Sequence, residues 1–130
     1  MPKSLVEVRR TYTDAEATAI MDAVHDALVS AFRIPFGDRT VRFVEHRPER
    51  FSYPPDLALP ERYTMVTIEC FAGRSLAAKR QLYREIAERL AALGIPGDHL
   101  SVILHEITLE NWGMDGAAAV DVDLGFAVEI

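Results

Sequence analysis

The chain is poor in cysteine, in tryptophan and in positive charge. Of its 130 residues one is a cysteine and one a tryptophan, and 20 acidic residues against 14 lysines and arginines give a net charge of −6. The single cysteine, Cys70, excludes an internal disulfide framework, and its apolar neighbours predict a reduced core residue in a cytoplasmic protein. The acidic balance argues against a nucleic-acid or anionic-membrane surface, although it is compatible with a local basic pocket.

Long hydrophobic runs are missing as well. No stretch approaches the roughly 20 apolar residues that a membrane-spanning helix needs, and the charged amino-terminal region lacks the apolar segment of a secretory signal. His105-Glu106 does not extend to a His-Glu-x-x-His pattern, so we predict no metal site and no cofactor. The expectation is a single domain over residues 1–130, with enough apolar sequence for one core.

Two parts of the chain read alike. Each has a short apolar segment, a helical pattern, an Ile-Pro turn that ends in Gly-Asp, and a second apolar segment. The offset of about sixty residues indicates a duplicated supersecondary unit. We assign the units to about 2–46 and 63–107, with a proline-rich linker at about 47–62 and a carboxy-terminal arm at 108–130.

The helix of each unit has recognisable ends. Thr13 and the glutamate three residues later form a capping box, and apolar residues then recur every four positions. In the second unit Ser75 is the expected N-cap, and Gly94 stands where a left-handed helix end is expected. These signals predict helices over about 13–32 and 75–93, each with one face in the core.

A strand, a helix and a strand of this size form a right-handed parallel βαβ unit. Two fused units predict an α/β (α+β) fold, a four-stranded and mainly parallel sheet with two helices on one face. The strand at 65–71 is apolar on both faces, and such strands need cover on both. Because there are only two long helices, we expect other subunits to cover the second face. The alternating segment 122–128 predicts a short strand or arm that pairs with a neighbouring subunit.

Pro2 and three local motifs together resemble the tautomerase superfamily. Pro2 follows the initiator methionine and opens the first apolar strand. The motifs are similar to the Gly-Arg-Ser/Thr turn of 4-oxalocrotonate tautomerase-like units, to a segment of the malonate semialdehyde decarboxylase-like branch, and to the family's aromatic-Gly pocket turn. In this chain they read Phe71-Ala72-Gly73-Arg74-Ser75, Asp38-Arg39 followed by His46-Arg47-Pro48, and Asn111-Trp112-Gly113.

The resemblance implies a homotrimer with a pocket around each amino-terminal proline. Pro2 is then catalytic once Met1 is removed, Asp38 orients water or substrate, and Arg74 binds a substrate carboxylate. Arginine suits that task because its planar guanidinium can hold both carboxylate oxygens, and the adjacent helix N-terminus adds backbone amides. A solvated surface arginine is the alternative for Arg74, and a turn residue is the alternative for Asp38. The decarboxylases carry two arginines in this turn, whereas this chain has one.

Three more residues are candidates for substrate binding. Trp112 would supply an apolar wall, and Arg42 is a second arginine that could bind a carboxylate. His46 precedes the linker and could orient it over the pocket, and a structural histidine is equally compatible with the sequence.

Three functions remain open at this stage. A neutral Pro2 could abstract a proton next to a carbonyl and return it elsewhere, which is tautomerisation of a small oxo- or enol-carboxylate. A protonated Pro2 beside Asp38 could polarise a carbonyl while Asp38 activates water, which gives a decarboxylase or hydratase. The third possibility is a non-catalytic trimeric binding module.

Overall fold

Two βαβ units form the body of the protein in a computed structural model that describes residues 2–130. The first unit is followed by a linker with two 3-10 turns, and the second by an arm that contains a two-residue hairpin. The elements in chain order are β1 (Lys3–Val8), α1 (Asp14–Phe32), β2 (Val41–Glu45), β3 (Thr64–Phe71), α2 (Leu76–Ala91), β4 (Leu100–Ile107), β5 (Gly113–Met114) and β6 (Ala117–Ala118).

The main sheet has the strand order β2-β1-β3-β4. Within each unit the strands are parallel, and the units meet through the antiparallel pair β1–β3, with Lys3 opposite Glu69 and Val8 opposite Thr64. The prediction of a four-stranded, mainly parallel sheet with two helices is confirmed. The antiparallel junction brings the start of β1 next to the end of β3, so each end of the sheet contains parts of both units.

Both helices begin at the predicted caps. Thr13 accepts a hydrogen bond from the Glu16 amide, and the Glu16 carboxylate accepts one from the Thr13 amide, which completes the capping box. Ser75 Oγ accepts from the Ala78 amide at 3.1 Å. Gly94 has a φ of +88°, so the left-handed turn after α2 is where the glycine predicted it.

One face of the sheet packs against the helices. Alternate residues of β1 and β3, such as Val6, Val66 and Ile68, are fully buried there together with Leu28 of α1 and Ile86 of α2. Each side chain of this kind contributes about 1.5–3 kcal/mol of transfer free energy to folding. In the described part of the chain, neither helix combines the length and hydropathy needed to cross a membrane.

The opposite face of the sheet has no helix over it within residues 2–130. Leu5 and Met65 are half-buried on this face, and Ile103 is 43% exposed. They occupy neighbouring strands. Leu5 of β1 lies opposite Thr67 of β3, and Thr67 in turn lies opposite Ile103 of β4. The two-sided apolar pattern of the central strands therefore corresponds to one packed face and one open face.

A buried arginine holds the linker. Arg9 donates to the backbone carbonyls of Pro48 at 2.9 Å, Pro60 at 2.8 Å and Phe51. Its guanidinium also lies 4.1 Å from the ring centroid of Tyr53. A long segment without its own ladder is thus fixed by one side chain that satisfies three carbonyls.

His99 adds a second attachment for the linker. This buried side chain accepts a hydrogen bond from the Leu59 amide through Nε2 at 2.9 Å. Its Nδ1 lies 2.6 Å from a carboxylate oxygen of Asp98, which fixes the neutral tautomer with the proton on Nδ1.

Within residues 2–130 the carboxy-terminal segment is an arm and not a strand, and its pairing with a neighbouring subunit stays a prediction. Residues 122–128 form no strand, and Gly125 with a φ of +73° interrupts the extended run. The arm instead returns along its own chain, where Ile130 O accepts from the Ser75 amide at 2.7 Å. A Cβ on Gly73 would lie 3.2 Å from Val128, so the arm closely covers the β3–α2 turn.

Candidate active site

Four of the predicted residues lie at one end of the sheet. Pro2 precedes β1, Asp38 precedes β2, Arg74 follows β3 and Trp112 follows β4. Parallel pairing brings the starts of β1 and β2 together, and antiparallel pairing adds the end of β3. The topology therefore gathers residues that are more than a hundred positions apart in the chain.

Pro2 is buried at this end. It has the same strand parity as Ser4, whose amide donates to Thr40 O at 3.0 Å, and the residues of that parity in β1 face the helices. Removal of Met1, on which a catalytic Pro2 depends, concerns a residue outside the described part of the chain.

Asp38 closes a tight turn before β2. Its amide donates to Pro35 O at 3.0 Å, which is the turn role that Gly-Asp sequences favour, and its Oδ2 atom is shielded from solvent. The turn is also fixed from α1, since the buried His25 lies with Nε2 2.7 Å from Phe36 O and packs edge-on against the Phe36 ring. The anchoring role of His25 was not predicted from the sequence.

Arg74 is buried, not solvated. It is 5% exposed, and its guanidinium lies 4.9 Å from the Phe32 ring centroid. Nη1 donates to Phe71 O at 3.0 Å, whereas Nε and Nη2 are buried without a hydrogen-bond partner among the described residues. Burial lowers the pKa of Arg74. Nε and Nη2 form the guanidinium edge that binds both oxygens of a carboxylate, so the open donors match a bidentate anion.

Trp112 lies on the other side of the same sheet end. Its ring packs edge-on against Phe71 with 4.7 Å between centroids. It borders an open cleft of about 310 Å³, at the lower end of the size range of small-molecule sites. The cleft is lined by Lys3, Glu69, Ile107, Asn111, Trp112 and Gly113.

Arg42 and His46 are not brought to Pro2 within one chain. Arg42 is exposed in the middle of β2. The His46 amide donates to Val8 O, and its Nε2 lies 2.9 Å from Glu7 Oε1, so His46 is at the opposite end of β1. Six strand residues at about 3.3 Å each place it roughly 20 Å from Pro2. Within one chain His46 therefore has a structural role, which was the alternative to orienting the linker over the pocket.

A charged pair beside Arg74 was missed by sequence reasoning. Lys79 Nζ in the first turns of α2 donates to Glu106 Oε1 of β4 at 2.5 Å. This hydrogen bond raises the pKa of Lys79. Glu106 is opposite Cys70 in the β3–β4 register, which depends on tertiary pairing and has no signal in the sequence. Within residues 2–130, no three His, Cys, Asp or Glu side chains are grouped to hold a metal ion.

The fold is that of enzymes of the tautomerase type. The chain belongs to the tautomerase family, because residues 38–115 match the family model described as tautomerase enzyme. No curated protein matches the sequence significantly.

Solved structures of several superfamily members share the fold. A malonate semialdehyde decarboxylase is 26% identical, with 90% of this chain and 93% of that chain covered and a TM-score of 0.78. A second one, FG41 malonate semialdehyde decarboxylase inhibited by 3-bromopropiolate, is 28% identical, with coverage of 90% and 92% and a TM-score of 0.73. Native fused 4-OT is 20% identical, with coverage of 91% and 96% and a TM-score of 0.82.

Proposed function

We propose that the protein is a cofactor-independent tautomerase that acts on a small oxo- or enol-carboxylate. The catalytic group is Pro2, whose nitrogen becomes a free secondary amine when Met1 is removed. The observation that carries the proposal is Arg74, a buried arginine at the sheet end of Pro2 with two unpaired donors on its carboxylate-binding edge.

The reaction needs one group that moves a proton. In ketonisation of an enol, the Pro2 nitrogen takes the hydroxyl proton as the carbonyl forms, and the resulting ammonium gives a proton to the neighbouring carbon. Arg74 holds the carboxylate and so fixes which carbon lies near the nitrogen. No redox step or added group is required.

The test is ketonisation of phenylenolpyruvate by the wild-type protein and by the variants Pro2→Ala and Arg74→Ala. Loss of the proline should lower kcat/KM by at least about 100-fold, the usual effect of removing a general base. Loss of the arginine should mainly raise KM. The matched control is Arg84→Ala, since Arg84 lies exposed on the outside of α2. Undiminished turnover by Pro2→Ala, with intact mass showing that Met1 is absent from both proteins, would refute the mechanism.

A decarboxylase or hydratase is the second candidate. It is favoured by Asp38, whose solvent-shielded carboxylate atom lies at the same sheet end as Pro2, and by the similarity to two malonate semialdehyde decarboxylases. In that reaction a protonated Pro2 polarises the substrate carbonyl and Asp38 orients water. Because the decarboxylases carry two arginines in the β3–α2 turn and this chain has one, we rank tautomerisation first.

We also propose that the active form is a homotrimer. Two of the similar structures are trimers of fused 4-OT, both 18% identical to this chain. The open face of the sheet, with Leu5, Met65 and Ile103, is the surface that such an assembly would cover.

A further inference from the structure

The buried guanidinium of Arg74 has two donors, Nε and Nη2, without a hydrogen-bond partner among the described residues. A buried cation is costly unless an acceptor satisfies it, and a nearby carboxylate normally does so. Glu106 is such a carboxylate. Yet among the described residues the hydrogen-bond acceptor of Arg74 is the Phe71 carbonyl, and Glu106 accepts a hydrogen bond from Lys79 instead.

The strand register places Glu106 close to the β3–α2 turn that carries Arg74. Glu106 is opposite Cys70 in the parallel pair β3–β4, and Arg74 follows the end of β3. Burial lowers the pKa of Arg74, while the nearby Glu106 carboxylate acts in the opposite direction. Burial raises the pKa of Cys70, so the thiol stays protonated and provides no counter-ion.

Lys79 binds the carboxylate of Glu106, the group that could otherwise pair with Arg74 in place of a substrate. Its ammonium donates to Glu106 Oε1, and both side chains are partly shielded, at 21% and 35% exposure. Lys79 stands one turn after the N-cap Ser75, so the rigid start of α2 fixes its position relative to Arg74. The ion pair therefore holds the Glu106 carboxylate toward α2.

We propose that Lys79 is a positioning residue that binds Glu106 and thereby keeps the Nε–Nη2 edge of Arg74 open for the carboxylate of a substrate. This inference rests on the proposed function for its biological meaning. The Lys79–Glu106 ion pair thereby contributes to substrate specificity, because an unpaired arginine edge inside the protein binds planar carboxylates in preference to neutral analogues.

The size of the effect follows from competition within the molecule. A carboxylate on a neighbouring strand has an effective concentration on the order of millimolar or higher, comparable to that of a small substrate. If Glu106 occupied Arg74 nine-tenths of the time, the apparent affinity for a substrate carboxylate would fall about tenfold.

The experiment is a set of variants assayed with phenylenolpyruvate. Lys79→Met should raise KM about tenfold and leave kcat within about twofold, since the proton-moving group is untouched. Glu106→Gln added to Lys79→Met should restore KM, because the competing charge is gone. Lys79→Arg should keep the wild-type KM. Arg80→Met, which removes an exposed cation of the same helix, is the matched control.

A binding measurement separates this inference from the reaction itself. Titration calorimetry with 3-phenylpropanoate, a carboxylate that cannot tautomerise, should show the same order of affinities as the KM values. If Pro2→Ala is fully active but this order holds, the proposed reaction fails and the role of Lys79 stands. The role of Lys79 is overturned if Lys79→Met binds like the wild type, if Glu106→Gln does not restore binding, or if the wild-type protein does not bind the probe.

Discussion

At the scale of single residues, the proposed site depends on Arg74, a buried arginine with two donors that have no hydrogen-bond partner among the described residues. Arg74 was equally compatible with a solvated surface and with a binding role, and the structure gives it 5% exposure. Its guanidinium packs against the ring of Phe32 at the end of α1, a residue that is distant in sequence. The type of residue and its turn were predictable, whereas the open donor edge is a tertiary property.

A substitution of Asp38 should distinguish the two candidate reactions. We expect Asp38→Asn to lower CO₂ release from malonate semialdehyde at least about 100-fold if water activation is its task. Ketonisation of phenylenolpyruvate should change by less than about tenfold, because Pro2 alone moves the proton there. Parallel kinetics on both substrates make the measurement, with Asp56→Asn of the exposed linker as control. Equal losses on both substrates would contradict separate roles and indicate a general effect on the turn.

At the scale of elements, local signals were reliable. Caps such as Thr13 and Ser75 fixed the helix starts, because a cap satisfies amides within the same turn. The alternating pattern at 122–128 was less informative, since alternation makes a strand only where a partner strand supplies a ladder. In the described chain this segment has none, and Gly125 turns it away.

The linker shows how one side chain can organise an element without regular structure. Arg9→Met removes the donors of three partly buried hydrogen bonds to backbone carbonyls, so we expect the free energy of unfolding to fall by about 3 kcal/mol. Limited proteolysis should then cut within 47–62 faster than in the wild type. Urea unfolding and mass analysis of the fragments make the measurement.

A neighbouring arginine provides the control for this prediction. Among the described residues, Arg10 makes a 3.4 Å contact from Nε to Thr11 O and lies beside the Tyr12 ring. Arg10→Met should change stability by less than about 0.5 kcal/mol, as for other surface substitutions. Comparable losses in both variants would mean that Arg9 acts through its charge alone and not through the three carbonyls.

At the scale of the whole molecule, the duplicated units predicted two parallel pairs but not how they join. The antiparallel pair β1–β3 decides which residues meet, and it depends on pairing between units. The position of His46 could have been derived, however. In a parallel βαβ unit the residue after β2 lies beside the end of β1, far from the residue that opens β1.

The open sheet face yields a prediction about assembly. Sedimentation equilibrium should give three times the monomer mass of 14.5 kDa. Ile103→Asp, at a 43% exposed position of this face, should dissociate the trimer because a charge would be buried in the interface. Leu93→Asp alters a residue of similar exposure, 39%, after α2 on the helix side, and should leave the trimer intact. A wild-type monomer at micromolar concentration would contradict the assembly.

If the reaction uses a free amino-terminal proline, as proposed, the antiparallel junction also limits how many working sites a duplicated chain can have. Each sheet end combines the start of one unit with the end of the other, so two separate units would present two equal ends. Fusion leaves only one amino terminus, and the second unit begins inside the chain at Thr64, where no free amine is possible. At that second end Arg9 is engaged by linker carbonyls. Joining the units thus leaves one of two equivalent sheet ends with a structural role, and its residues can change without loss of a catalytic amine.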